Sequence, residues 1–278
     1  FSHALAAMFG PPGGPVHLSL PHDVLVGAIE TEHRPVPAEL QAAPMLDRAG
    51  AERALSRITA EAPRLAILAG AGVEHADAAS ALVRVAERWS IPVATTLRAK
   101  GVFAEDHPLS LGVFGYAGTR HATSALLGGD IDMLLVLGSG LNERDTMHWS
   151  NRLAPRHGIV SVNISVRALA EERIDRLPVA GDCGAFLDML AADGSHVAAL
   201  DAGAAARRAW IADIRRGPRL NDTANLTSDQ VPLHPARVVA SLRRAMPREA
   251  ILLVDSGAHR AFAGHYWDAY APRTYISA

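Results

Sequence analysis

Two glycine-bearing stretches hold the groups best suited to chemistry. Asp255-Ser256-Gly257-Ala258-His259 follows an apolar run and precedes a helix-forming one. At such a strand-to-helix junction, free backbone N–H groups and the helix dipole favour an anion. Gly257 would let the backbone approach a phosphate, and His259 would offer it a ring N–H. The same residues also read as an ordinary turn with a capping Asp255 and a surface His259. Gly70-Ala71-Gly72 likewise sits between a strand and a helix, where its backbone could cradle a dinucleotide phosphate or simply pack the two elements tightly. It is not a complete G-x-G-x-x-G, since no third glycine follows near Ala76 and no acidic residue closes the next strand. In Thr95-Thr96-Leu97-Arg98-Ala99-Lys100-Gly101, Arg98 and Lys100 could meet an anionic nucleotide or a substrate carboxylate, or form a solvated basic loop.

Other chemistries find less support. Thirteen histidines occur without an H-E-x-x-H or a cysteine cluster, so no residue is assigned as a metal ligand. Ser256 lacks the flanking glycines of a G-x-S-x-G elbow. Asp23 beside His17 and His22 reads as a turn after a strand, and no residue is assigned a catalytic role.

The elements that must position these turns are legible from hydrophobic patterning. Leu65–Ala69, Val93–Thr95, Met133–Leu137 and Ile159–Asn163 read as strands, with further strands at 109–113 and 179–180. Residues 51–60, 77–89, Arg120–Leu127 and Cys183–Ala191 read as helices. Near-continuous apolar strands joined by helical crossovers imply an α/β domain with a doubly wound, parallel, six-stranded sheet, whose ligands sit beyond the carboxyl ends of the strands. Gly70, Gly138 and Gly181 all fall there. Outside this domain, Ser2–Phe9 is too short to be an independent helix, and residues 16–20 read as a strand. Residues 31–44, with Pro35, Pro37 and Pro44, form a linker. Residues 202–216 read as a helix, 217–231 as a second linker, 234–245 as a helix and 250–255 as a buried strand.

Composition sets bounds. About half of the 278 residues are hydrophobic and only 5% are aromatic, so the core is built from Ala, Val, Leu and Ile. A formal charge of -2 gives no reason to expect nucleic acid or an anionic membrane as partner. No apolar run has the length to span a bilayer. Arginines scattered along helices read as solvated faces, and Lys100 is the only lysine. The single Cys183 fits a reducing cytoplasm.

In order and spacing, these motifs resemble one family over essentially the whole chain. Gly14-Pro15-Val16-His17-Leu18-Ser19-Leu20-Pro21-His22-Asp23-Val24 resembles the end of the pyrimidine-binding domain of thiamine diphosphate enzymes of the acetolactate synthase large-subunit type. Asp255-Ser256-Gly257-Ala258-His259-Arg260 resembles the opening of their diphosphate-binding domain. Between them, Gly70-Ala71-Gly72, Ala94-Thr95-Thr96-Leu97, Gly115-Tyr116-Ala117-Gly118-Thr119 and Gly181-Asp182 resemble the central domain. The implied division is 1–30 from the pyrimidine domain, 31–48 linker, 49–192 central domain, 193–232 helix and linker, and 233–278 from the diphosphate domain.

The resemblance implies a 2-oxo acid substrate, pyruvate by default, decarboxylated with transfer of the two-carbon unit. It implies thiamine diphosphate and Mg2+ as cofactors of the full-length protein, with Gly257, Ala258 and His259 at the diphosphate, and a homodimer or homotetramer. Another thiamine diphosphate-dependent decarboxylase or carboligase, or a non-catalytic nucleotide-binding scaffold, are the alternatives. The family's activating glutamate and its Gly-Asp-Gly magnesium motif are expected upstream of Phe1 and downstream of Ala278, so the isolated segment is expected to be inactive. Positions matching Gly70, Ala71, Gly72, Thr96, Leu97, Gly118, Gly138 and Asp182 contact FAD in acetolactate synthase relatives. Here Gly140 replaces an arginine of that pattern, and Asn163 and Ser165 replace two carboxylates. The expectation is an empty crevice or weak adenine-nucleotide binding.

Overall fold

Six short apolar runs form one sheet: β1 (Leu65–Ala69), β2 (Val93–Thr95), β3 (Ser110–Val113), β4 (Met133–Leu137), β5 (Ile159–Asn163) and β6 (Leu177–Ala180). All pairs are parallel, in the order β3-β2-β1-β4-β5-β6. The order reverses direction between β1 and β4, the position at which doubly wound sheets open a ligand crevice. In register, Ala69 pairs with Thr95 and with Leu137, so Gly70, Thr96 and Gly138 leave the sheet side by side. The computed structural model describes residues 2–10, 13–28, 45–61, 63–171, 173–192 and 194–277.

Side chains alternate across the sheet with the two-residue period of a strand, and the sequence places apolar residues at both phases. Leu65, Ile67, Ala69, Leu135 and Val162 point into one core, covered by α3 (Arg48–Glu61), α5 (Ala79–Trp89) and α8 (Cys183–Ala191). Ala66, Leu68, Leu134, Val136 and Ile159 point into the other, covered by α6 (Arg120–Leu127) and by Trp210 and Ile211 of α9 (Ser195–Ile214). The cost of breaking backbone–water hydrogen bonds is met by the ladders. Each fully buried Leu or Ile then contributes about 1.5–3 kcal/mol.

Expectation and structure part at several places. The helix expected over 77–89 is α5; a further short helix not expected from the sequence, α4 (Ala71–His75), precedes it, and Asp77, whose left-handed φ of 51° cannot continue a helix, separates the two. The helix expected over 202–216 is the longer α9. Arginines are not only solvated faces. Arg207 of α9 is fully buried, donating from Nε to Trp89 O (2.8 Å), the last residue of α5, and from Nη1 to Pro63 O (3.3 Å). A cation there matches the negative end of the α5 dipole. Burial pulls the Arg207 guanidinium down to about 10.

The chain divides into two units, Phe1–Met45 and Leu46–Ala278. In the first, α1 (Ser2–Phe9) and α2 (His22–Val26) flank residues 16–20, which form no strand and are largely exposed. The expected strand is absent because a strand exists only through its ladder, and no described segment of this unit offers an edge. The linker expected at 31–44 lies outside the described residues. In the second unit the sheet domain is followed by α10 (Pro235–Ala245), β7 (Leu252–Val254), α11 (His259–Tyr266) and β8 (Tyr275–Ser277), with β7 and β8 paired in parallel. The buried strand expected at 250–255 is buried on one face only. Val254 packs against Ala263 and Trp267, whereas Leu253 is 73% exposed.

Candidate cofactor site

At the β1–β4 opening the glycines fill the space that they were expected to leave. A Cβ on Gly72 would stand 2.6 Å from Gly138 Cα, and one on Gly138 would stand 2.5 Å from Gly72 Cα. The donors are engaged as well: Gly70 N bonds Leu137 O (2.8 Å), Gly72 N bonds Gly138 O (3.0 Å) and Gly138 N bonds Val162 O (2.9 Å). Gly138 holds φ 65°, open to glycine at little strain. Of the two readings of Gly70-Ala71-Gly72, this geometry is tight backbone packing.

The remaining strand-end positions are also committed to the fold. Thr96 N donates to Ala69 O (2.9 Å), and Leu97 packs beside Val113 and Ala263. Asp182 caps α8, its Oδ1 accepting from Ala185 N (3.0 Å). Asn163 Nδ2 donates to Ser139 O (3.2 Å) while its Oδ1 accepts from Ser165 N (2.9 Å), and Ser165 Oγ accepts from Ala168 N (3.2 Å). Gly118 lines a cleft of about 580 Å3 beside Arg120, Asn221, Phe262 and Tyr266.

A seam missed by sequence reasoning joins these strand ends to the C-terminal segment. Lys100 is 1% exposed, so it is not part of a solvated basic loop. Its Nζ lies 2.5 Å from Glu105 Oε2, which also accepts from Ala269 N (2.7 Å), and Glu105 N donates to Ala269 O (3.1 Å). Arg219 bonds Asp268 at 2.6 Å alongside. His265 on α11 donates from Nδ1 to Gly118 O (3.0 Å) and accepts at Nε2 from Asn221 N (2.9 Å). Both ring nitrogens are therefore committed to the neutral tautomer, and burial lowers the pKa below the ordinary histidine value. The available signal was the solitary lysine five residues before a glutamate, in a loop otherwise carrying Val102 and Phe103.

The turn at 255–259 is the opposite of the β1–β4 opening. Asp255 through His259 are exposed. Ser256 N is held by Asp255 Oδ1 (2.6 Å), so the aspartate caps its neighbour and not the helix. No side chain caps α11, and the N–H groups of Gly257, Ala258 and His259 bond to nothing among the described residues. Gly257 has φ 148°, and a Cβ there would meet His259 Cε1 at 2.7 Å, so the imidazole lies directly over the turn. The sequence reading of a glycine turn with a histidine beside it thus corresponds to free donors beneath a ring.

Residues 51–190 match the family described as "Thiamine pyrophosphate enzyme, central domain". The chain belongs to that family. Among curated relatives it is 30% identical to a probable acetolactate synthase large subunit of Methanocaldococcus jannaschii, over 95% of this chain and 45% of that protein. It is 29% identical to sulfoacetaldehyde acetyltransferase of Castellaniella defragrans, over 95% of this chain and 46% of the relative. The chain therefore spans about half the length of the curated relatives it matches. Benzoylformate decarboxylase from Polynucleobacter necessarius shares the fold, with a TM-score of 0.69 at 19% identity, covering 98% of this chain and 47% of that one. Family membership accounts for the doubly wound sheet at 51–190, and the structure adds that its glycine crevice is filled by backbone.

Proposed function

We propose that this chain is the central part of a thiamine diphosphate-dependent enzyme of the acetolactate synthase type, and that Gly257, Ala258 and His259 hold the cofactor's diphosphate. The observation that carries the reading is the uncapped N-terminus of α11, where three backbone donors and an overlying imidazole face solvent with no internal acceptor. Such a terminus suits an anion on both hydrogen-bonding and dipole grounds. When bound, thiamine diphosphate supplies the electron sink that decarboxylation of a 2-oxo acid requires. This chain's part is to hold the diphosphate end, with the Lys100–Glu105–Ala269 seam fixing the turn against the sheet domain. Magnesium, the usual counter-ion of that diphosphate, is part of the proposal. Among the described residues no group of three or more His, Cys, Asp or Glu side chains converges to hold it.

The domain division 1–30, 31–48, 49–192, 193–232 and 233–278, a homodimeric or homotetrameric full-length protein and a cytoplasmic location belong to the same reading. The location is supported by the lone thiol, Cys183, which is buried and pushed up to about 12 by desolvation. No helix among the described residues is long and apolar enough to cross a membrane. Similarity to sulfoacetaldehyde acetyltransferase supports a second donor–acceptor pair within the same chemistry.

Three measurements test the proposal. The full-length protein is expected to consume pyruvate only with thiamine diphosphate and Mg2+ added, and activity with the cofactor rigorously excluded would overturn the assignment. The 278-residue chain alone, with no catalytic side chain assigned in it, is expected to show no turnover. Gly257→Ala should weaken thiamine diphosphate binding by about tenfold or more, the equivalent of one lost charge-assisted hydrogen bond.

A further inference from the structure

We propose that the pocket lined by Arg98, Arg144 and Arg260 binds a small phosphate-bearing dianion, beside the positions where family resemblance implies a flavin dinucleotide. The pocket encloses about 370 Å3 between the strand ends and α11, and it shares Leu97 with the positions expected at the flavin. A volume near the bottom of the roughly 300–1,000 Å3 range of small-molecule sites suits a compact ligand.

Charge decides the ligand class. Three guanidiniums face one carboxylate, that of Asp145, and none of the three forms an ion pair among the described residues. Asp145 Oδ2 is already shared by Ser139 Oγ (3.2 Å) and Asn142 Nδ2 (2.9 Å). Arg260 Nε is buried without a partner. Arg144 stacks over Tyr116 at 5.1 Å, which fixes the plane of its N–H fork. Like-charged guanidiniums around one pocket repel, and a dianion between them relieves that repulsion while accepting bidentate bonds from the guanidinium forks.

The flavin fits poorly for separate reasons. Gly140 presents no side chain where the resembled pattern has an arginine, and Asn163, Ser165 and Asp182 direct their polar atoms to the backbone. Gly70, Gly72 and Gly138 have spent their N–H groups on strand-end carbonyls. These donors are engaged, whereas among the described residues the guanidiniums of the arginine pocket are not. This inference stands apart from the α11 turn, since the two sites use different residues.

The test is calorimetric titration of the 278-residue chain with inorganic phosphate, with FAD in a parallel arm. Saturable phosphate binding that persists in Gly257→Ala is expected, with affinity falling as salt rises. Arg144→Met and Arg260→Met should each weaken binding about tenfold or more. Arg98→Met is the variant least able to disturb folding, because its side chain is exposed and makes no hydrogen bond among the described residues, and the same direction is expected. Thermal melting of each variant checks that it remains folded. The proposal is overturned if phosphate gives no saturable heat, if the folded arginine variants bind it as well as the parent, or if binding is lost in Gly257→Ala alone. Stoichiometric FAD that survives gel filtration and absorbs in the visible would also overturn it.

Discussion

Gly70-Ala71-Gly72 and Asp255-Ser256-Gly257 are the same kind of local sequence, a glycine turn between a parallel strand and a helix, and they have opposite fates. The first meets another glycine turn at Gly138 across the β1–β4 opening, where Gly70 N and Gly72 N are spent on Leu137 O and Gly138 O, and Gly138 N on Val162 O. The second leads into a helix that nothing caps, and its donors face solvent. A glycine turn at a strand end is therefore a site only when the adjoining strand does not bring its own backbone into the gap.

The sharpest way to break this comparison is to add one methyl group to each turn. Gly138→Ala runs into the Gly72 backbone, 2.5 Å away at its Cα, and holds a left-handed φ, so it should cost about 4 kcal/mol and leave little folded chain. Urea denaturation reads this, and a stable variant would show that the crevice is roomier than its geometry. Lys100→Met tests what holds the second turn to the first domain. It leaves the buried Glu105 with Arg219, 3.9 Å away, as its remaining cation, and a loss of about 3 kcal/mol is expected, with faster amide exchange at Ala269. Unchanged exchange there would remove the seam as the anchor. Gly257→Ala meets only the movable His259 ring but must hold a φ of 148° that favours glycine, so it should cost about 1–3 kcal/mol of stability, with anion binding weakened as well.

The smallest effect expected is pH dependence from His265, beside which Lys100 and Arg219 also disfavour the charged ring. Its folded pKa lies below the ordinary value, so the unfolded chain takes up a proton that the folded chain refuses. The stability it contributes is complete above about pH 6.5 and is lost as pH falls through that value toward the folded pKa. Denaturant midpoints between pH 7.5 and 5.5 should fall less steeply in His265→Gln than in the parent. Equal slopes would mean that the seam does not hold a neutral imidazole. Asp106, lowered by its bond to Arg248, changes stability only at more acidic pH and does not confuse the comparison.

Much of the sheet domain was legible because its strands are apolar at both phases and its helices are amphipathic. β1, β2, β4 and β5, with α6 and α8, lie where patterning places them. The misses share a cause. The short α4 before α5 was missed because its one turn is too brief for a hydrophobic period, and the left-handed Asp77 that ends it is equally silent in the pattern. Residues 16–20 carry strand-like residues without a ladder partner. Lys100 and Arg207 look like solvent-facing cations, because burial of a charge depends on distant groups, Glu105 and Ala269 for one and the carbonyls of Trp89 and Pro63 for the other.

The sequence by itself determined the parallel α/β architecture, the order of its strands and helices, and the family to which residues 51–190 belong, because those follow from local periodicity and motif spacing. Only the tertiary structure decided which glycine turn is closed and which is open, which arginines face a shared pocket and which histidine must stay neutral. Each of these depends on whether a second segment, far away in sequence, supplies the acceptor or the volume that the first one lacks.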